Sequence, residues 1–195
     1  MSQRWVDNGF IVQKSEPTDE NQTILYNGIS RFESWPLNSI EDETCRLLDI
    51  EMEERWFGYF YDDDSYALAV VPSIDFVNHY LNICKSKGIA TRVLLVCSKR
   101  LSPKCEETKN FTKVFLGYDY ATSQSFYSSL LDDLFGAEIP ENIGRYRQVL
   151  NHNGLFDNQI ELEKYILDRK ISIDGGYNLE SHGDFLGMKL YQVFL

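Results

Sequence analysis

Two rhythms of apolar and polar positions run along this chain, one with the period of a strand and one with that of a helix. Short β-like pieces at Gly9–Gln13 and Ile24–Tyr26 are separated by a polar connector, Ser15–Thr23. Ser39 with Asp42 three residues on reads as a capping box with Asp in place of Glu. It predicts a helix to about Asp49 that buries Ile40, Thr44, Leu47 and Leu48 and exposes the acids between them. Trp56–Tyr61 and Tyr66–Val71 flank the polar turn Asp62–Ser65 and read as a hairpin, ended by Pro72. Ser73 then caps a helix with Val77, Tyr80, Leu81 and Cys84 inward, stopped by Gly88.

Thr91–Cys97, rich in Val and Leu, has the unbroken apolar character of a buried strand. A basic loop with Pro103 follows over Ser98–Phe111, then a strand over Thr112–Tyr118. Ser123 caps a helix with Tyr127, Leu130, Leu131 and Leu134 inward and Gly136 at its end. Pro140 suits a helix first turn, followed by Ile143, Tyr146 and Leu150. Asp157 caps another helix through about Arg169, and Phe185–Phe194 closes the chain as a strand with Leu186, Met188, Leu190 and Phe194 on one face. This order predicts an α+β (mixed α/β) fold, one domain over residues 1–195 with helices packed on a central β-sheet. A chain of 195 residues is ample for one core and short for two.

Charge changes the picture more than composition does. The chain carries −11 overall, and ten of its 30 acids fall between Glu41 and Asp64. Only Arg46 and Arg55 oppose them, so 24 positions hold a net −8. The same segment contains Trp56, Phe57, Tyr59, Phe60 and Tyr61. Negative charge beside aromatic bulk repels nucleic acid and anionic lipid and attracts basic proteins. A charged face made for solubility would look similar, but density and adjacency exceed what solubility needs. Residues 65–111, by contrast, carry +4.

Candidate chemistry is sparse. Asp62, Asp63 and Asp64 could chelate a divalent cation, but adjacent residues of a turn point different ways, so no metal and no cofactor are expected. His79, His152 and His182 form neither HExxH nor HxxxH, and no Gly-rich phosphate loop or GxSxG occurs. Cys45, Cys84, Cys97 and Cys105 lack CxxC spacing and read as free thiols of a reducing cytosol. No apolar segment follows the N-terminus and the longest apolar run is too short to span a bilayer, so a cytoplasmic location is expected. Tyr118, Asp119 and Tyr120 sit where a strand is expected to end and offer a recognition trio, with a backbone-bonded turn as the plain alternative.

Size, low isoelectric point, richness in Tyr, Asp and Glu, and the run Val114–Tyr120 before a helix opening at Ser123 resemble bacterial immunity proteins of toxin–immunity pairs, including those of contact-dependent inhibition. The resemblance implies a cytoplasmic inhibitor, often of a cationic nuclease. The residues expected to meet a basic toxin domain are Glu51, Glu53, Glu54, Asp62, Asp63 and Asp64, with Trp56, Tyr59 and Tyr61 as anchors and Tyr118, Asp119 and Tyr120 as further contacts. No direct contact with nucleic acid or membrane is expected. The alternatives are an enzyme with a site at Gly117–Tyr120 and Asp174–Tyr177 that uses His152 or His182, or a regulatory protein-binding domain.

Overall fold

The computed structural model describes residues 4–14, 71–88, 90–99, 105, 111–122, 130, 134, 139–175 and 185–195. Strands β1 (Val6–Lys14), β2 (Thr91–Ser98), β3 (Thr112–Thr122) and β4 (Phe185–Phe194) join in the order β1-β2-β4-β3. Every neighbouring pair is antiparallel, and the last strand in sequence lies inside the sheet. In β2 every position from Val93 to Ser98 is buried. That pattern needs cover on both faces, which is why the run reads as continuous rather than alternating.

Two apolar clusters provide that cover. Leu94, Val96, Met188 and Leu190 pack with Ile143, Tyr146, Leu162 and Tyr165 of the C-terminal helices and with Leu130 and Leu134. Val93, Leu95, Phe10, Val12 and Val193 pack with Phe76, Val77, Tyr80 and Cys84 of helix α1 (Ile74–Ser86). Consecutive residues of one strand thus serve opposite layers. The described residues form a mixed α+β unit with helices on a central antiparallel sheet, as the order of elements predicts.

Helix α1 begins where Ser73 accepts the N–H of Phe76 at 3.3 Å and ends before Gly88, whose φ of +72° suits glycine. Phe76 takes the buried place expected of Leu81, which is only half-buried. The helix expected after Pro140 is a short one, α2 (Glu141–Gly144), that tightens into a 3₁₀ turn, Arg145–Val149. Side chains fasten this turn to α3 (Gln159–Asp174). The Tyr146 hydroxyl donates to Asp168 Oδ2 at 2.7 Å, and Arg145 donates to the same oxygen at 2.5 Å. Asn142 Nδ2 donates to Ser172 Oγ at 2.9 Å.

Three expectations are corrected. The cap of α3 is Asn158, whose Oδ1 accepts the Glu161 N–H at 2.9 Å, because Asp157 is already engaged by Asn151 at 2.8 Å. The helix also runs past Arg169 to Asp174, with Ser172 buried one turn further on. Phe194 is 53% exposed, and Val193 beside it fills the core instead. Cys84, Cys97 and Cys105 are not joined in disulfides. Val71 and Phe10 exchange two backbone hydrogen bonds of 2.8 Å, so the chain passes beside β1 there. The rest of the expected hairpin, the strand at Ile24–Tyr26, the helix capped by Ser39 and Cys45 lie outside the described residues. So does the helix capped by Ser123, apart from Leu130 and Leu134, which are both helical and buried.

Candidate functional site

The period of two along a strand places Lys113 and Phe115 of β3 on one face of the sheet, and Lys189 and Tyr191 of β4 beside them. A bulge between Phe115 and Gly117 adds one residue to β3 and returns Tyr118 to that same face. Phe115 is the register partner of Tyr191, and Tyr118 that of Lys189. The Phe115 ring meets Tyr118 edge-on at 5.1 Å and Tyr191 at 5.4 Å. Trp5, just before β1, reaches Tyr118 at 6.0 Å.

Lysine amines lie over these rings. Lys189 Nζ is 4.5 Å from the Trp5 centroid and 5.6 Å from that of Tyr118. Lys99 Nζ is 5.3 Å from Trp5, and Lys113 Nζ is 5.1 Å from Tyr191. Each pairing lies within cation–π range. The result is a row of four aromatics with three cations laid over it, and Phe115 within the row is 41% exposed. At its inner edge the Cys97 thiol donates to Asp7 Oδ1 at 3.0 Å. Burial, reinforced by Asp7, pushes that thiol well above its usual range. Burial likewise raises the Tyr191 phenol, so both stay neutral at pH 7 and the lysines set the sign of the face. Such a face can hold carboxylates or other anions. Lys99 already lies 3.9 Å from Glu163.

The expected site residues fall into two groups. Glu51, Glu53, Glu54, Trp56, Tyr59, Tyr61, Asp62, Asp63 and Asp64 lie outside the described residues. Of the Tyr118–Tyr120 trio, Tyr118 alone reaches solvent. Asp119 is fully buried, and its Oδ1 accepts the Tyr120 N–H at 2.7 Å. Tyr120 is buried against Tyr165 at 5.3 Å, with the Arg169 guanidinium 5.6 Å from its ring. The reason is the length of β3, which continues four residues past Tyr118 to Thr122. Phe156 pairs with Tyr118 through two backbone hydrogen bonds of 2.8 and 2.9 Å, so the trio is strand interior rather than strand end.

His152 is exposed in the turn after Asn151, whereas Asp119 is buried in the core. Asp174 and Gly175 close α3, and Gly176, Tyr177 and His182 lie outside the described residues. Among the described residues no three His, Cys, Asp or Glu side chains converge on a metal position. An open cleft of about 590 Å³ lies between α1 and the ends of β2 and β4, with Lys85, Arg92 and Gln192 in its lining. Among the described residues no helix is long and apolar enough to cross a membrane.

Sequence reasoning missed Trp5, Lys113, Phe115, Lys189 and Tyr191. The signal was present as two Lys-x-aromatic pairs at strand spacing, Lys113–Phe115 and Lys189–Tyr191. The bulge that brings Tyr118 to them leaves no such mark. The chain matches no protein-family model, no curated protein and no solved structure, so its function is read from its own residues.

Proposed function

We propose that this chain is a cytoplasmic inhibitor of the immunity-protein kind, which captures a basic toxin domain, a nuclease in the first instance, through the segment Glu41–Asp64. The single observation that carries the reading is the net −8 over 24 positions beside five aromatic residues. A protein that cleaves nucleic acid needs a cationic cleft, and carboxylates match that cleft while aromatics cap it. Charge speeds capture, and buried rings slow release. The sheet face refines the reading. Lys189 lies 5.6 Å from the Tyr118 ring, and its charge disfavours a basic partner there, which supports placing the proposed contact on the acidic segment.

Reversing Asp62, Asp63 and Asp64 together to lysine is expected to slow association with the captured toxin domain by about tenfold or more at low salt. The dissociation rate should change much less. Stopped-flow or biosensor kinetics check this, and an unchanged association rate would remove the segment from the interface.

A second reading, a regulatory domain that binds an acidic protein, is favoured by the aromatic and lysine face itself. In that case Lys113→Glu with Lys189→Glu abolishes partner capture, and the Asp62–Asp64 reversal leaves it intact.

A further inference from the structure

Helix α3 buries Leu162, Tyr165, Arg169 and Ser172 on one side. On the opposite side it exposes Ile160 (64%), Leu167 (59%) and Ile171 (57%). At 100° per residue these three fall within about 40° of one another, one straight stripe along a helix of 16 residues. Large apolar side chains exposed singly need no explanation, but three in line on one helix form a seam that has no partner among the described residues. We propose that this seam binds the same seam of a second copy of the chain, with the two α3 helices antiparallel about a two-fold axis near Leu167.

The occupant follows from the charges beside the stripe. An antiparallel pair centred near residues 166–167 sets Ile160 beside Ile171 of the second copy and Leu167 beside its own symmetry mate. In that arrangement one flank of each helix meets the same flank of the other, as isologous contacts require. That flank carries Glu163 and Lys170, both exposed; within the chain Glu163 accepts from Gln159 Nε2 at 2.6 Å and lies 3.9 Å from Lys99. They lie equidistant from the centre, so each Glu163 meets the Lys170 of the other copy, twice in the dimer. A parallel pair would instead set this flank against the opposite one, which carries Glu161, Lys164 and Asp168, and would leave the Glu163 and Lys170 match unmade. The other flank is balanced within each chain, by Lys164 with Glu161 at 2.9 Å and by Arg145 with Asp168 at 2.5 Å. Lys164 also lies over the seam between Ile160 and Leu167, where its alkyl stem can cover apolar surface while the amine stays in water.

A single helix pair is a small interface, so the association is weak, with a dissociation constant in the range of roughly 10–100 μM. Sedimentation velocity on the full chain from about 1 to about 200 μM should show the mass rise from one chain towards two. Leu167→Asp should weaken that association at least tenfold, with an unchanged circular dichroism spectrum, because the side chain is exposed in the single chain. Glu163→Lys should weaken it, and adding Lys170→Glu should restore it, a rescue that damage to the fold would not give.

Oxidative cross-linking fixes the geometry. Leu167→Cys should give a disulfide-linked dimer, and Ile171→Cys should not, because antiparallel helices carry residue 171 and its mate some 15 Å apart along the axis, beyond disulfide reach. The unsubstituted chain, oxidised in parallel, gives the background of the native thiols. A single-chain mass throughout the concentration range overturns the proposal and leaves the seam to a different protein. Equal cross-linking at positions 167 and 171 overturns the antiparallel pairing.

Discussion

Gly117 shows how much of the sheet rests on one residue. Its φ is +146°, and a Cβ there would lie 2.5 Å from Leu155 Cβ and 3.0 Å from the Phe156 carbonyl oxygen. Neither is the far end of a flexible side chain, so the strand edge itself would have to move. Gly117→Ala should therefore cost about 2–4 kcal/mol, from backbone strain plus overpacking, read by urea unfolding. A loss within 0.5 kcal/mol of zero would mean that the bulge shifts freely.

Cys97 makes a second case. Its folded thiol titrates above the ordinary 9.0, chiefly through burial. The unfolded chain therefore releases that proton first as pH rises, and the folded state binds more protons above about pH 9. The contribution is fully present below that value and is lost as pH climbs. Between pH 8 and 10 Cys97→Ala should lose less stability than the unsubstituted chain, and parallel losses would contradict the assignment. None of this was legible in the sequence, since Cys97 looks like any strand cysteine and its partner Asp7 lies 90 positions away.

At the scale of elements, the apolar rhythm foretold where the strands and helices of the described residues lie, because burial on a period of two or 3.6 is what holds them. The rhythm speaks less about ends, where local hydrogen bonds decide. Asp157 and Asn158 are both good caps by type, and the choice between them is made by Asn151, which takes Asp157 for the turn before α3. Asn158→Ala should accordingly destabilise the protein by about 1 kcal/mol, and Asp157→Ala by distinctly less. Thermal unfolding of the two variants decides it, and the reverse order would restore Asp157 as the cap. The Tyr118–Tyr120 trio was misplaced for the same reason. The continuation of β3 past Tyr118 rests on β4, whose Gly187, Leu186 and Phe185 pair with Tyr120, Ala121 and Thr122 from more than 60 positions further on. The lysine and aromatic face needs the pairing of β3 with β4, which joins residues some 70 positions apart and cannot be read along the chain.

For the whole molecule, the separation of charge is the property that composition did reveal. One chain thus carries both a strongly acidic stretch of sequence, Glu41–Asp64, and three lysines laid over Trp5, Tyr118 and Tyr191. The fold class followed from the order of elements. The expectation of one domain over residues 1–195 rests on length, and the expectation of a toxin partner rests on charge and resemblance; neither is written in the sheet. Long-range attraction between exposed charges fades once salt shortens the screening length to a few ångströms. Capture of partners from native host lysate, run at low and at high salt with the unsubstituted chain and with the Asp62, Asp63 and Asp64 reversal, tests the central claim most directly. The account predicts one basic, nuclease-like domain, held by the unsubstituted chain at low salt, weakened by high salt and lost by the variant. Equal retention of the same protein by both chains at both salts would contradict it.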